Sequence, residues 1–139
     1  MTRIYFSGPL AAGHEVSLPP AQGHHLVRVL RLGAGAALTL FNGDGAEYTA
    51  VITHIAGKAV SARVESGRAP ARESSLEVTL AQGISRGERM DFTVQKAVEL
   101  GVARIEPVLT LRGVVRFDAA RARHKLAHWQ AVAVAACEQ

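Results

Sequence analysis

The sequence predicts an all-β region followed by an α/β region: a small, partly closed β-barrel with one inserted helix, then the start of a parallel-sheet α/β domain. Three observations carry this expectation. Short β-forming segments crowd the stretch from Arg3 to Glu65, where Val60, Ala62 and Val64 alternate with Ser61, Arg63 and Glu65. The tract Ser66 to Ser75, reading SGRAPARESS, has linker composition and no apolar periodicity. Leu76 to Val108 then reads as strand, loop, helix and strand, a βαβ unit whose strands should be parallel.

In chain order, Arg3-Ile4-Tyr5-Phe6 reads as a first strand ended by Ser7-Gly8-Pro9, and Glu15 to Leu18 as a short second one. Pro19-Pro20 opens a helix, because proline is tolerated in a first turn, and the helix runs from Ala21 to Leu32 until Gly33-Ala34-Gly35 stops it. Leu26, Val27 and Leu30 share its apolar face, while His24, Arg28 and Arg31 at i, i+4 and i+7 share another. Ala37 to Phe41, Tyr48 to Ile55 and Ala59 to Glu65 are strands, joined by turns at Asn42-Gly43-Asp44-Gly45 and Ala56-Gly57-Lys58.

Beyond the linker, Leu76 to Gln82 alternates at the strand period. Met90, Val94, Ala97 and Val98 recur at helical spacing, Ser85 with Glu88 forms a capping-box pattern, and Gly101 marks the helix end. Ala103 to Val108 is the second strand, with Pro107 weakening its end. Asp118 is a good N-cap for a last helix whose Ala122, Leu126, Trp129, Ala133 and Ala136 share a face and which is expected to run to Gln139. Two parallel strands do not make an independently stable sheet, so the second domain is expected to be cut short, with the protein continuing past Gln139.

The chain has 139 residues, 48% of them hydrophobic, a formal net charge of +4 and one cysteine, Cys137. That length excludes a large enzyme, and a lone cysteine excludes an intramolecular disulfide framework and fits a reducing compartment. No apolar run approaches a membrane span and no signal-peptide pattern appears, so a cytoplasmic protein is expected. The basic excess suggests an anionic partner, yet it is spread evenly rather than gathered in a tail.

Several motifs fail on inspection. Gly33-Ala34-Gly35 and Gly43-Asp44-Gly45 lack the third glycine of a dinucleotide fingerprint, and Gly87 is followed by Glu88 and Arg89 rather than the Lys-Ser/Thr of a P-loop. His124 and His128 are four apart, but Lys125 stands where a zinc protease needs glutamate, so no metal is expected. The stripe of His24, Arg28 and Arg31 reads either as a solvated helix face or as a grip on phosphates. Lys96 and Glu99 read as an ordinary i,i+3 pair on the polar face of their helix. Arg86 lies in the loop leaving the carboxyl end of a parallel strand, where open α/β sheets place their ligands.

Taken together, the run His24 to Leu32, the Phe41-Asn42-Gly43 turn, the segment from Ser85 to Val102 (SRGERMDFTVQKAVELGV) and Trp129 through Ala135-Ala136-Cys137-Glu138-Gln139 closely resemble the bacterial 16S ribosomal RNA uridine-N3 methyltransferase family of the SPOUT superfamily. The resemblance runs the length of the chain in the right order. It implies a PUA-like RNA-binding β-barrel over residues 1–70 and, over 71–139, the N-terminal part of a knotted SPOUT methyltransferase domain. It further implies a homodimer that uses S-adenosyl-L-methionine to methylate N3 of a uridine on the small ribosomal subunit. Under it, Arg3, His24, Arg28 and Arg31 become candidates for RNA binding, and Arg86 and Lys96 for catalysis.

The glycine-rich segments that form the family's knot and hold its cofactor would come after Gln139, so this chain is expected to supply no cofactor-binding residues and to be inactive alone. The alternative is a non-catalytic RNA-binding or ribosome-assembly module.

Overall fold

The β-forming segments of the first half become β1 (Arg3–Tyr5), β2 (Glu15–Leu18), β3 (Ala37–Phe41), β4 (Glu47–Ala56) and β5 (Ala59–Arg68) in a computed structural model that describes residues 2–69, 76–113 and 115–139. They form one five-stranded sheet in the order β1-β3-β4-β5-β2, with β1 parallel to β3 and every other pair antiparallel. Because side chains alternate along a strand, Val60, Ala62 and Val64 all reach the core, where they meet Leu38, Leu40, Ala50 and Ile52. The sheet bends at register shifts in β4, between Thr49 and Ala50 and between Ile52 and His54.

The predicted linker begins too early. Ser66, Gly67 and Arg68 are still paired in β5, opposite Thr49, Tyr48 and Glu47. Composition was outweighed by two pairings: Arg68 is ion-paired with Glu47 at 2.9 Å, and Gly67 lies under the Tyr48 ring, where a Cβ would come within 2.8 Å. The rest of the predicted linker, 70–75, lies outside the described residues.

The inserted helix also differs from its predicted span. It is α-helical only over α1 (Pro20–His24) and then widens into a π-helix over His25–Val29, in which the Leu30 N–H donates to His25 O at 3.0 Å. Leu32 N then donates to Leu26 O at 2.9 Å, and Arg31 takes a left-handed φ of 55° that no helix continues through. α1 packs closely on β5 because Gly23 has no side chain: a Cβ there would lie 2.7 Å from Lys58 O. Leu26, in the wide turn, is fully buried.

The second unit, Arg72–Gln139 as against Met1–Ala71, contains β6 (Thr79–Gly83), α2 (Glu88–Glu99), β7 (Arg104–Val108) and α3 (Ala119–Cys137). β6 and β7 are parallel, as the sequence predicts, with Thr79 opposite Arg104 and Gly83 opposite Val108. β6 begins three residues later than predicted, and Leu76 is exposed. Val78 O accepts from Arg104 N and Val108 O accepts from Ile84 N, so the even-numbered residues of β7 face β6 and Pro107 faces away from it.

Met90, Val94 and Ala97 of α2 are buried at the predicted spacing, and Met90 and Val94 pack with Trp129 of α3. Gly101, at φ 80°, closes α2: its N–H donates to Val98 O, and Val102 N–H to Ala97 O, the paired bonds of a Schellman cap. Asp118 caps α3 as predicted, accepting from Arg121 N at 2.8 Å.

Two expectations at helix ends fail. The Ser85–Glu88 capping box does not form, because Gly87, with φ 57° and ψ −142°, is the residue before the first turn and carries no side-chain cap. Glu88 is the first helical residue, so Ser85 stands two positions too early. At the other end, α3 closes at Cys137 instead of running to Gln139, and Glu138 N donates to Val134 O at 3.1 Å.

Candidate functional site

In the first unit the chemistry gathers on the inserted helix. His24, Arg28 and Arg31 are exposed, and Arg28 and Arg31 make no ion pair with the described residues. The π-turn alters their geometry: His24 and Arg28 follow one another around a widened turn, and Arg31 leaves the helix altogether, so the three do not form a straight α-helical stripe. His25, Val29 and Leu30 are exposed beside them, so the rim mixes cations with apolar surface.

Arg3 sits elsewhere and is engaged. Its Nη1 donates to Glu47 Oε1, and its guanidinium lies 5.1 Å from the centroid of the Phe41 ring. Glu47, nearly buried, is held between Arg3 and Arg68. Arg3 therefore fixes β1 and β3 to the start of β4 and is not grouped with the helix cations.

The Asn42-Gly43 turn is built by its own side chains. Asn42 Oδ1 accepts from Asp44 N at 3.1 Å, Asp44 Oδ1 from Ala46 N at 2.8 Å, and the Tyr48 hydroxyl donates to Asp44 Oδ2 at 2.7 Å. The Tyr48 hydroxyl bond, then the Ala46 N–H, hold the Asp44 carboxyl below its ordinary pKa. The same bond raises that of Tyr48.

In the second unit, the loop after β6 delivers Ser85, Arg86 and Gly87 to one wall of a crevice of about 250 Å3. Its other walls are Val115, Arg116 and Phe117 from the segment preceding α3, and Lys125 and Trp129 from α3. Among the described residues three cations thus line it and no carboxylate does. Arg116 braces its own loop, donating to Gly113 O at 2.6 Å, Val115 O at 3.0 Å and Leu111 O at 2.9 Å. Carbonyls accept those bonds without cancelling the charge.

Lys96 does not line this crevice. It is ion-paired with Glu99 at 2.6 Å, which lowers the pKa of the Glu99 carboxyl, and it lies 5.9 Å from the Phe92 ring. Sequence reasoning missed Lys125 and Arg116. Lys125 stands one helical turn before Trp129, so an i,i+4 reading of the packing face from that tryptophan would have found it.

A separate apolar groove of about 240 Å3 runs between α2, α3 and β7, lined by Val94, Val98, Val102, Leu126 and Ala133 among others. Leu126, predicted to be packed, is half exposed along it. His128 accepts or donates a 2.8 Å bond with Asp91, tying α3 to α2. Among the described residues no group of three or more His, Cys, Asp or Glu could hold a metal ion, and no helix is long and apolar enough to cross a membrane.

Comparison with known proteins points the same way for both units. Residues 72–139 match the RNA methyltransferase domain family, and residues 18–65 the RNA methyltransferase PUA domain family. The chain is 30% identical over 137 residues to the ribosomal RNA small subunit methyltransferase E of Buchnera aphidicola (subsp. Acyrthosiphon pisum), covering 99% of this chain and 54% of that protein. It is 29% identical over 123 residues to the protein of the same name in Bacillus subtilis, covering 88% and 48%. The crystal structure of ribosomal RNA small subunit methyltransferase E from Neisseria gonorrhoeae superposes with a TM-score of 0.93 at 43% identity, over 100% of this chain and 57% of that one. The chain spans about half the length of the curated relatives it matches.

The Neisseria protein is bound to S-adenosyl methionine. Of that cofactor's groups the cations of the crevice suit the carboxylate alone, whereas its sulfonium, amino group and ribose call for acceptors. Arg86, Arg116 and Lys125 offer cationic donors and no carboxylate.

Proposed function

Because residues 18–65 match the RNA methyltransferase PUA domain family and 72–139 the RNA methyltransferase domain family, we propose that this chain contributes to methylation of N3 of a uridine in 16S ribosomal RNA, with S-adenosyl-L-methionine as methyl donor. The observation that supports the reading most directly is the pairing of the two matches, a PUA sheet and a methyltransferase βαβ unit, in one chain. In this reading residues 1–70 bind RNA, and 71–139 form part of a SPOUT domain that works as a cytoplasmic homodimer. The cofactor is held by the portion of the relatives that this chain does not span.

Uridine N3 carries a proton, so attack on a methyl group requires the ring to lose it and the resulting uracil anion to be stabilised. Arg86, exposed at the carboxyl end of β6, is the cation we assign to that charge. Lys96 is the second candidate from the sequence, and its pairing with Glu99 leaves it the weaker one. His24, Arg28 and Arg31 grip the phosphate backbone, while Arg3 supports the sheet beneath them through Glu47. A non-catalytic RNA-binding module is the competing reading.

The test uses the protein at the length of its relatives, small ribosomal subunits lacking the modification, and labelled methyl donor, with nucleoside mass spectrometry of the 16S RNA. N3-methyluridine is the expected product, and Arg86→Ala should lower turnover more than RNA affinity. Tight subunit binding with no methyl transfer overturns the enzyme reading and leaves the binding module.

A further inference from the structure

We infer that the crevice between the β6–α2 loop and α3 is a phosphate site that takes a backbone phosphodiester of the RNA, with Lys125 as its principal charged contact. This rests on the RNA reading above and extends it to a second, separate point of contact. Of the three cations lining the crevice, Arg116 already donates to backbone carbonyls, and Arg86 is exposed on the loop. Lys125 is half-buried in the wall and makes no ion pair with the described residues. Among the described residues the crevice walls bring together three cations and no carboxylate, and an anion is the ligand that this surplus of positive charge favours.

The neighbouring groups suit a phosphate in particular. Ser85 brings a hydroxyl to the same wall, and Gly87 presents backbone with no side chain in the way. Trp129 is 7% exposed, and its indole N–H has no hydrogen-bond partner among the described residues. Together these give directed donors and point charges around one small volume, a combination that binds phosphate oxygens without reading a base.

Trp129 is the only tryptophan of the chain, so its emission reports occupancy directly. The experiment titrates the 139-residue chain with a single-stranded RNA oligonucleotide at several salt concentrations, following that emission, and repeats it with Lys125→Gln, Lys125→Arg and Arg123→Gln. Arg123 is exposed on the same helix and does not line the crevice.

Lys125→Gln should weaken binding about fivefold or more and reduce the slope of log affinity against log salt by about 0.7, one phosphate contact to a single strand. Lys125→Arg should restore most of it, and Arg123→Gln should change little. Inorganic phosphate at millimolar concentration should shift the wild-type emission and leave that of Lys125→Gln unmoved. Far-UV circular dichroism establishes that each variant is folded.

RNA binding by the wild type that Lys125→Gln leaves intact overturns the crevice alone. Equal losses in Lys125→Gln and Arg123→Gln overturn it in favour of diffuse attraction. A wild-type chain that binds no RNA overturns this inference, while the function reading stands or falls on the methyl-transfer test at the length of its relatives.

Discussion

The two units differ first in what lies beneath their surfaces. The first encloses a contiguous core of twelve buried residues, from Ile4 to Val64, whereas the second gathers Met90, Val94 and Trp129 among the described residues. The first sheet has five strands and the second two. Isolated two-stranded arrangements are marginal, and buried apolar area is the main favourable term in folding. The second unit therefore rests more on a few large side chains and on the caps at Gly101 and Asp118. Each unit has its own concavity, the first beside Phe6, Pro9 and His14 and the second beside Arg86 and Lys125.

The largest expected effect is on stability. Leu38→Ala and Met90→Ala each remove a fully buried side chain, at a cost of about 3 kcal/mol. Met90→Ala should abolish the native emission of Trp129 under conditions in which the far-UV signal of the β-sheet persists, while Leu38→Ala should do the reverse in urea. If either variant moves both signals together, the two units unfold as one and do not differ in stability.

Next in size is the effect on RNA. Reversing charge at both Arg28 and Arg31 should lower affinity for ribosomal RNA about tenfold and flatten its salt dependence by about two phosphate contacts, measured by filter binding. An unchanged slope would remove the inserted helix from the interface. The melting temperature should barely move, since both side chains are exposed and unpaired.

Smaller again is Asp118→Ala, which leaves Arg121 N without its acceptor and should cost about 1 kcal/mol, read as an earlier loss of helical signal in thermal melts. The effect should be confined to the second unit.

The smallest concerns the turn after β3. The Asp44 carboxyl is held below its ordinary value, so the stability it contributes is present above the unfolded carboxylate range and is lost as pH falls below about 4. Tyr48 is shifted upward, so its share is present below about pH 10 and lost as pH rises beyond that. An NMR titration should show the Asp44 midpoint rising in Tyr48→Phe. No change would mean that the hydroxyl bond is not what holds it.

Much of this architecture was legible in the residues. Glu15 to Leu18, Ala37 to Phe41, the parallel pairing of the βαβ unit, the Gly101 cap and the Asp118 cap all follow from local chemistry, which acts over a few residues and leaves a mark at fixed spacing. The misses share another cause. Ser66 to Arg68 look like linker and are strand because partners twenty or so residues away, Tyr48 and Glu47, hold them there. The π-turn at His25–Val29, with Leu26 fully buried in it, has no helical-period signature in the sequence.

The site shows the same division. Arg86 could be placed from the strand it follows, but Lys125 and Arg116 come from distant elements and became neighbours of Arg86 only in three dimensions. Lys96 shows the opposite: the plain i,i+3 reading of its spacing describes what it does here.

Pro107 has a consequence for self-association. Its backbone nitrogen points away from β6, so the missing N–H costs the β6–β7 ladder nothing. The omission falls on the outer side of β7, where Ile105 still offers both donor and acceptor and Pro107 offers only a carbonyl. A strand laid along that edge would find one donor and then a gap. Unrelated chains would therefore zip onto it poorly, and an open two-stranded sheet carries its own guard against amyloid-like stacking.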